Sequence, residues 1–312
     1  MTLKISHLTK RYKEKQALNN VSLTFEPSTI YALLGNNGAG KSTLLNIINN
    51  RIFTTEGEVE LDGEPVIDNS PALRHLYLMS EDNLFPPSMK VSTIFTMTEG
   101  FFGGFDWDLA NHLINGFELQ TSLSFKKLST GYRTITKLIA ALCVPANYIF
   151  LDEPVLGLDA THREFFYREL IQTFSDRPRC FVISTHLIEE ISHLVESVVI
   201  IDDGVILEQG DAESMERSAF SVEGSPDLAE EFTANLDVLS SNRITGQMTV
   251  YVKGTVPPDV PAGLRIEYLG LQDYFVRLAQ AHKFGQNPSL RTMDSDFTDD
   301  SHDSHNSTEV AR

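Results

Sequence analysis

Few residues of this chain are basic, few are cysteine, and no long apolar run occurs. Its 312 residues hold 43 Asp and Glu against 25 Lys and Arg, a net charge of −18. A nucleic-acid binder gains affinity by neutralising phosphates with cations, so this balance argues against nucleic acid as a partner. The two cysteines, Cys143 and Cys180, sit in apolar surroundings. They read as small buried hydrophobes, not as a disulfide or a metal pair. No apolar stretch reaches the roughly 18 residues that a membrane helix needs. The longest apolar region, Leu138 to Leu151, is broken by Pro145 and Asn147. No membrane span of the chain's own is therefore expected. The opening MTLKISHLTKRYKEK alternates apolar and basic residues without an apolar core, which does not suit a signal peptide. A cytoplasmic chain is the expectation. No internal repeat is found.

What is present begins with Gly35 to Thr43, GNNGAGKST. The apolar run Ile30-Tyr31-Ala32-Leu33-Leu34 before it reads as a buried parallel strand, and Leu44 to Ile48 after it as a helix. Strand, glycine-rich loop and helix are the setting of a phosphate cradle. The glycines at 35, 38 and 40 let the N–H groups of this loop, including those of Asn36, Asn37 and Ala39, turn toward phosphate oxygens. The helix start adds its dipole. Lys41 can reach the β- and γ-phosphates, and the Ser42 hydroxyl, followed by Thr43, can ligate Mg2+. ATP and Mg2+ are the cofactors expected.

The rest of the chain alternates strands and helices. Residues 2–6 and 21–26 read as half-buried antiparallel strands with Lys10-Arg11-Tyr12 between them. Asp62-Gly63 predicts a hairpin. His75 to Met79 reads as a strand, residues 91–143 as mostly helix with breaks near Gly103-Gly104, Gly116 and Leu128-Ser129, and residues 160–175 as helix. Tyr148 to Leu151 and Cys180 to Ser184 read as further buried strands, and Val198 to Leu207 as a last hairpin. That order predicts an α/β sheet. Composition shifts near residue 215. Residues 216–282 predict a small α+β appendage with strands at Thr249 to Lys253 and Leu264 to Leu269 and helices near 226–236 and 271–281. Residues 283–312 predict an acidic, disordered tail.

The second chemical element is Ile149-Phe150-Leu151-Asp152-Glu153. An apolar strand ending in two carboxylates delivers them to the sheet's carboxyl edge, beside the phosphate loop. Asp152 is placed to hold Mg2+. Glu153 is placed to orient or deprotonate an attacking water.

Over residues 1 to about 215 the chain resembles the ATP-binding subunit of ABC transporters. GNNGAGKST is similar to Walker A, and IFLDEP to Walker B with the catalytic glutamate. The resemblance implies an ABC-type ATPase fold: a RecA-like core sheet, an N-terminal antiparallel β subdomain and a helical subdomain. It implies that Tyr12 stacks on adenine and that His186, in Ser184-Thr185-His186, contacts the γ-phosphate. Val155 to Asp159 is similar to the D-loop, where Asp159 would cross a dimer interface. The signature departs from LSGGQ: here it is Leu128-Ser129-Thr130-Gly131-Tyr132, which keeps Ser129 and Gly131 for the γ-phosphate of an opposite subunit. The Q-loop departs further, with Ser80 on the glutamine position and Glu81 next to it, able to reach Mg2+.

The resemblance implies an ATP-hydrolysing subunit on the inner face of the cell membrane. It would pair with a second, identical copy and a separate polytopic membrane subunit. Leu84, Phe85, Pro86, Pro87 and Met89 form the apolar cluster expected to meet that subunit. The short appendage resembles that of exporters of the ABC-2 and drug-resistance type. A soluble ABC-type ATPase acting on ribosomes or DNA is the alternative. One phosphate loop and short motif spacing oppose it, since such members carry two cassettes or long coiled coils. An ordinary P-loop kinase or GTPase would have no use for Ser129, Gly131 or His186.

Overall fold

The computed structural model describes residues 1–286, with side chains to residue 283. The tail read from residue 283 thus lies outside the described residues, except for the end of the last helix. Among the described residues the chain divides into two compact units, Met1–Arg217 with Leu269–Phe275, and Ser218–Tyr268 with residues 276–286.

In chain order the first unit begins β1 (Leu3–Tyr12), β2 (Lys15–Phe25), β3 (Ile30–Leu34), α1 (Lys41–Ile48), β4 (Glu56–Leu61) and β5 (Glu64–Pro65). It continues α2 (Ser70–Leu73), β6 (Leu76–Met79), α3 (Val91–Phe102), α4 (Trp107–Gly116), α5 (Thr130–Cys143) and β7 (Tyr148–Asp152). Then come α6 (Ala160–Asp176), β8 (Cys180–Ser184), α7 (Ile188–Ile191), β9 (Ser197–Asp202), β10 (Val205–Asp211) and α8 (Ala212–Glu216).

The central sheet has the order β10-β9-β3-β8-β7-β6. Neighbours from β9 to β6 pair in parallel, and β10 is antiparallel on the edge. Every residue of β3, β6, β7 and β8 is buried. Continuous apolar runs are what parallel strands covered on both faces require. An antiparallel sheet, β2-β1-β4-β5, shares its core. Phe25 of β2 meets Tyr31 of β3 at 5.0 Å and Phe150 of β7 at 5.9 Å, edge to face in both cases. Each fully buried aromatic of this kind contributes roughly 1.5–3 kcal/mol by area burial.

The N-terminal strands are longer than the alternation at residues 2–6 and 21–26 implied. β1 carries irregularities in register after Ile5, where His7 has φ 51°, and alternation resumes out of phase. Lys10, Arg11 and Tyr12 pair with Leu18, Gln16 and Lys15 and so belong to the hairpin itself. Asp62 and Gly63 make the expected tight turn, both at positive φ.

The helical segment splits near the breaks expected at Gly103-Gly104, Gly116 and Leu128-Ser129. Gly103 ends α3 in a left-handed conformation, Asp106 caps α4 through Leu109 N (3.0 Å), and Ser129 caps α5 through Tyr132 N (3.3 Å). Phe85 is half-buried, its ring edge-on to Phe125 at 5.5 Å, and Met89 is half-buried too. The apolar cluster there is therefore only partly free; Leu84 remains 61% exposed.

The second unit holds β11 (Ala219–Gly224), α9 (Pro226–Thr233), β12 (Asp237–Ile244), β13 (Gln247–Lys253), β14 (Arg265–Tyr268) and most of α10 (Leu271–Gln286). Its antiparallel sheet has the order β12-β13-β11-β14, around Phe220, Val222, Ala229, Val250 and Val252. Sequence pattern reached β13, β14 and both helices but not β11 or β12. β12 is an edge strand with one buried residue, Leu239, so it carries no alternating apolar signal. Among the described residues, no helix is long and apolar enough to cross a membrane.

Candidate functional site

The site is built where β3, β7 and β8 end. β3 leads into the loop Gly35–Gly40, and α1 begins at Lys41. Gly40 has φ 112°, and a Cβ there would lie 2.7 Å from Ala17 O. Only glycine fits that turn and that approach. Lys41 is 7% exposed and folds over the loop, donating to Gly35 O at 2.5 Å and Asn36 O at 3.3 Å. Burial pulls its pKa down, against the opposing pull of Glu153 and Asp152.

Asp152 closes β7, paired in register with Ser184 at the end of β8. Ser184 Oγ donates to Asp152 Oδ1 at 2.9 Å, and both residues are buried. Glu153 follows with φ 49°, a left-handed conformation that a non-glycine residue holds only where its surroundings impose it. Its N–H donates to Ser184 O at 2.8 Å. Its Oε2 stands 3.0 Å from His186 Nδ1 and accepts from Thr185 Oγ1 at 3.4 Å. His186 and Glu153 are thus in contact.

A cavity of about 280 Å³ lies over the loop. Tyr12, Lys15, Ala17, Glu81, Asp152 and Glu153 line it with Asn36, Asn37, Gly38, Gly40, Lys41, Ser42 and Thr43. Gly35 and Ala39 are not part of the lining. Tyr12 is 45% exposed, with Lys10 Nζ 4.9 Å above its ring. Sequence reasoning did not single out Lys15 or Ala17, whose positions depend on the hairpin register.

Ser80 and Glu81 part company. Ser80 is buried, and its hydroxyl accepts from Arg51 at 3.0 Å, outside the cavity lining. Glu81 faces the cavity.

Ser129, Gly131 and Asp159 also lie outside the lining. They meet each other's neighbourhoods instead. A Cβ on Gly131 would lie 2.7 Å from Gly157 O, and Thr134 Oγ1 donates to Leu156 O at 3.1 Å. Asp159 caps α6, accepting from His162 N and standing against His162 Nδ1, both at 2.9 Å. The His162 N–H, then its ring, holds the Asp159 carboxyl below its ordinary range. Cys143 and Cys180 are free and buried, and burial pushes both thiols up.

These groups fit a nucleotide with a divalent cation. Turned N–H groups and a buried lysine suit phosphate. Among the described residues, no group of three or more His, Cys, Asp or Glu could hold a metal alone. Mg2+ needs no such cage: it takes one or two protein oxygens and leaves the rest to phosphates and water. Ser42 and Asp152 offer such oxygens.

Residues 18–156 match the family described as "ABC transporter". The chain is 25% identical over 240 residues to the ABC transporter ATP-binding protein YtrB of Bacillus subtilis, covering 77% of this chain and 81% of that one. It is 28% identical over 217 residues to the ribose import ATP-binding protein RbsA of Lacticaseibacillus paracasei. That match covers 66% of this chain and only 43% of the relative, less than half its length. Among solved structures, it resembles the dimeric ATP-binding cassette MJ0796 in a post-hydrolysis state bound to ADP and Pi. The TM-score is 0.60 at 24% identity, over 67% of this chain and 98% of the other. Over residues 18–156 the chain is thus similar to the ATP-binding domain of ABC transporters, and its α/β fold is that of an ABC ATPase cassette.

Proposed function

We propose that this chain is the energy-supplying subunit of a membrane exporter, working as a pair of identical copies with a separate polytopic membrane subunit. One observation carries the pairing. Lys41, Asp152 and Glu153 converge on one cavity, while Ser129 and Gly131, at the cap of α5, lie outside that cavity in the same chain. A second copy can supply the missing serine hydroxyl and N–H to the γ-phosphate, and the dimeric state of MJ0796 supports such a pairing. ATP then favours the closed pair and hydrolysis the open one.

Within each site Lys41 binds the β- and γ-phosphates. Ser42 and Asp152 would hold Mg2+, and Glu81 lines the same cavity. Glu153 orients the attacking water and takes its proton. His186 keeps Glu153 in place and meets the γ-phosphate, Tyr12 stacks on adenine, and Asp159 crosses to the partner. The membrane subunit docks on a groove of about 350 Å³, lined by Leu73, Tyr77, Leu84, Phe85, Met97 and Phe101 among others. Leu84 and Phe101, 61% and 68% exposed, support this assignment. The short second unit favours export by analogy of build. The test is co-purification of the chain with its membrane subunit, followed by reconstitution into vesicles with the ATPase outside. ATP-dependent accumulation inside supports export. Depletion supports import, as the name of RbsA has it for that protein. Binding to ribosomes with no membrane partner overturns the whole reading.

A further inference from the structure

Two cations grip the segment after β6. Arg51 stands in the turn after α1. Its guanidinium donates to Leu78 O at 2.5 Å and to Ser80 Oγ at 3.0 Å. Lys137 stands on α5 and is only 7% exposed. Its Nζ donates to Ser80 O and to Glu81 O, both at 2.9 Å. Ser80 is thus held at its hydroxyl from one side and at its carbonyl from the other. Glu81, the next residue, lines the cavity that Lys41, Asp152 and Glu153 also line.

A lysine inside a helix is costly to bury unless its donors are used. Here the Nζ hydrogen bonds go to backbone carbonyls, which fix a chain path, while Glu81 and Asp82 supply negative charge nearby. The two anchors come from different places, the end of the phosphate-loop helix and the helix that Ser129 caps. They meet on one residue. We infer that Lys137 and Arg51 are positioning residues for hydrolysis: they clamp Ser80 so that Glu81 presents its carboxylate to the cation side of the nucleotide cavity. This rests on the ATPase reading and deepens it.

A carboxylate beside phosphates acts through the divalent cation between them. Loosening the clamp therefore weakens cation binding and turnover and spares the nucleotide. In Lys137→Met, kcat should fall roughly tenfold, the scale of a lost supporting contact. Affinity for ATP without a divalent ion should stay within about twofold. Mn2+ affinity of the ATP-bound protein, read by electron paramagnetic resonance, should fall by a similar roughly tenfold factor. Because Lys137 acts through Glu81, the double variant Lys137→Met/Glu81→Gln should be no slower than Glu81→Gln alone. Arg51→Gln supplies a second variant with the same expected pattern, should Lys137→Met fold poorly by its melting curve. Unchanged kcat and Mn2+ affinity in both variants overturn the inference, and so does a double variant in which the two losses multiply. A wild-type chain without ATP turnover, alone or with its membrane subunit, sinks the ATPase reading and the inference that rests on it.

Discussion

Ser184 Oγ donates to Asp152 Oδ1 at 2.9 Å across two strands that are neighbours only in the folded sheet. This bond matters because Asp152 is 4% exposed and lines the nucleotide cavity. Replacing Ser184 with Ala leaves a buried carboxylate oxygen without that donor, at a cost of about 1–3 kcal/mol. The nucleotide-free protein should melt several degrees lower, and saturating MgATP should recover part of the loss by binding the folded state. A melting curve unchanged in both conditions would show that the bond carries no weight.

Glu153 is in contact with His186 and sits at the cavity wall. Glu153→Gln keeps the shape and removes the base. Turnover should drop by about two to four orders of magnitude while ATP binding persists. On a sizing column with MgATP the variant should run as a dimer. Turnover at the wild-type rate would remove Glu153 from the reaction.

Lys41 and Tyr12 should separate charge from stacking. Lys41→Ala loses a charged hydrogen-bond donor, about 1.5–3 kcal/mol, which is tenfold or more in the Kd for ATP. Tyr12→Ala should cost about 0.5–1.5 kcal/mol of stacking, and Tyr12→Phe close to nothing. Calorimetric titration of the three variants checks the ranking; equal behaviour of the two Tyr12 variants would count against stacking.

Asp159 gives a pH dependence with a definite sign. Its folded pKa lies below the ordinary aspartate value, so its cap stabilises α6 above that value. The contribution is lost as pH falls through the depressed folded pKa, below about pH 4. Asp159→Asn keeps a capping oxygen that does not titrate. Its melting temperature should therefore lose less than the wild type's between about pH 6 and pH 3. Parallel curves for the two proteins would mean that the cap does not titrate with folding.

The groove beside β6 offers the last test. Phe101→Asp puts a charge on an exposed ring position away from the nucleotide cavity. ATP binding should be unchanged, and stimulation of ATPase by the membrane subunit should be lost. Full stimulation in that variant would move the docking surface elsewhere.

What the chain alone determined was local and chemical. A glycine-rich loop between an apolar strand and a helix, and an apolar strand ending in Asp152-Glu153, are legible because their parts are adjacent in sequence and the physics that joins them is short-range. The helix breaks near Gly103-Gly104, Gly116 and Leu128-Ser129 were legible for the same reason. The tertiary structure alone decided which side chains meet across strands and helices far apart in sequence. It set Ser184 on Asp152, His186 on Glu153, and Arg51 and Lys137 on Ser80. It also decided that Glu81 and not Ser80 faces the cavity. Both follow the end of β6, and the choice is set by the buried donors of Arg51 and Lys137, not by the residue itself. The edge strand β12 was missed for a related cause: with one buried residue it leaves no period to read, and only its partner β13 makes it a strand.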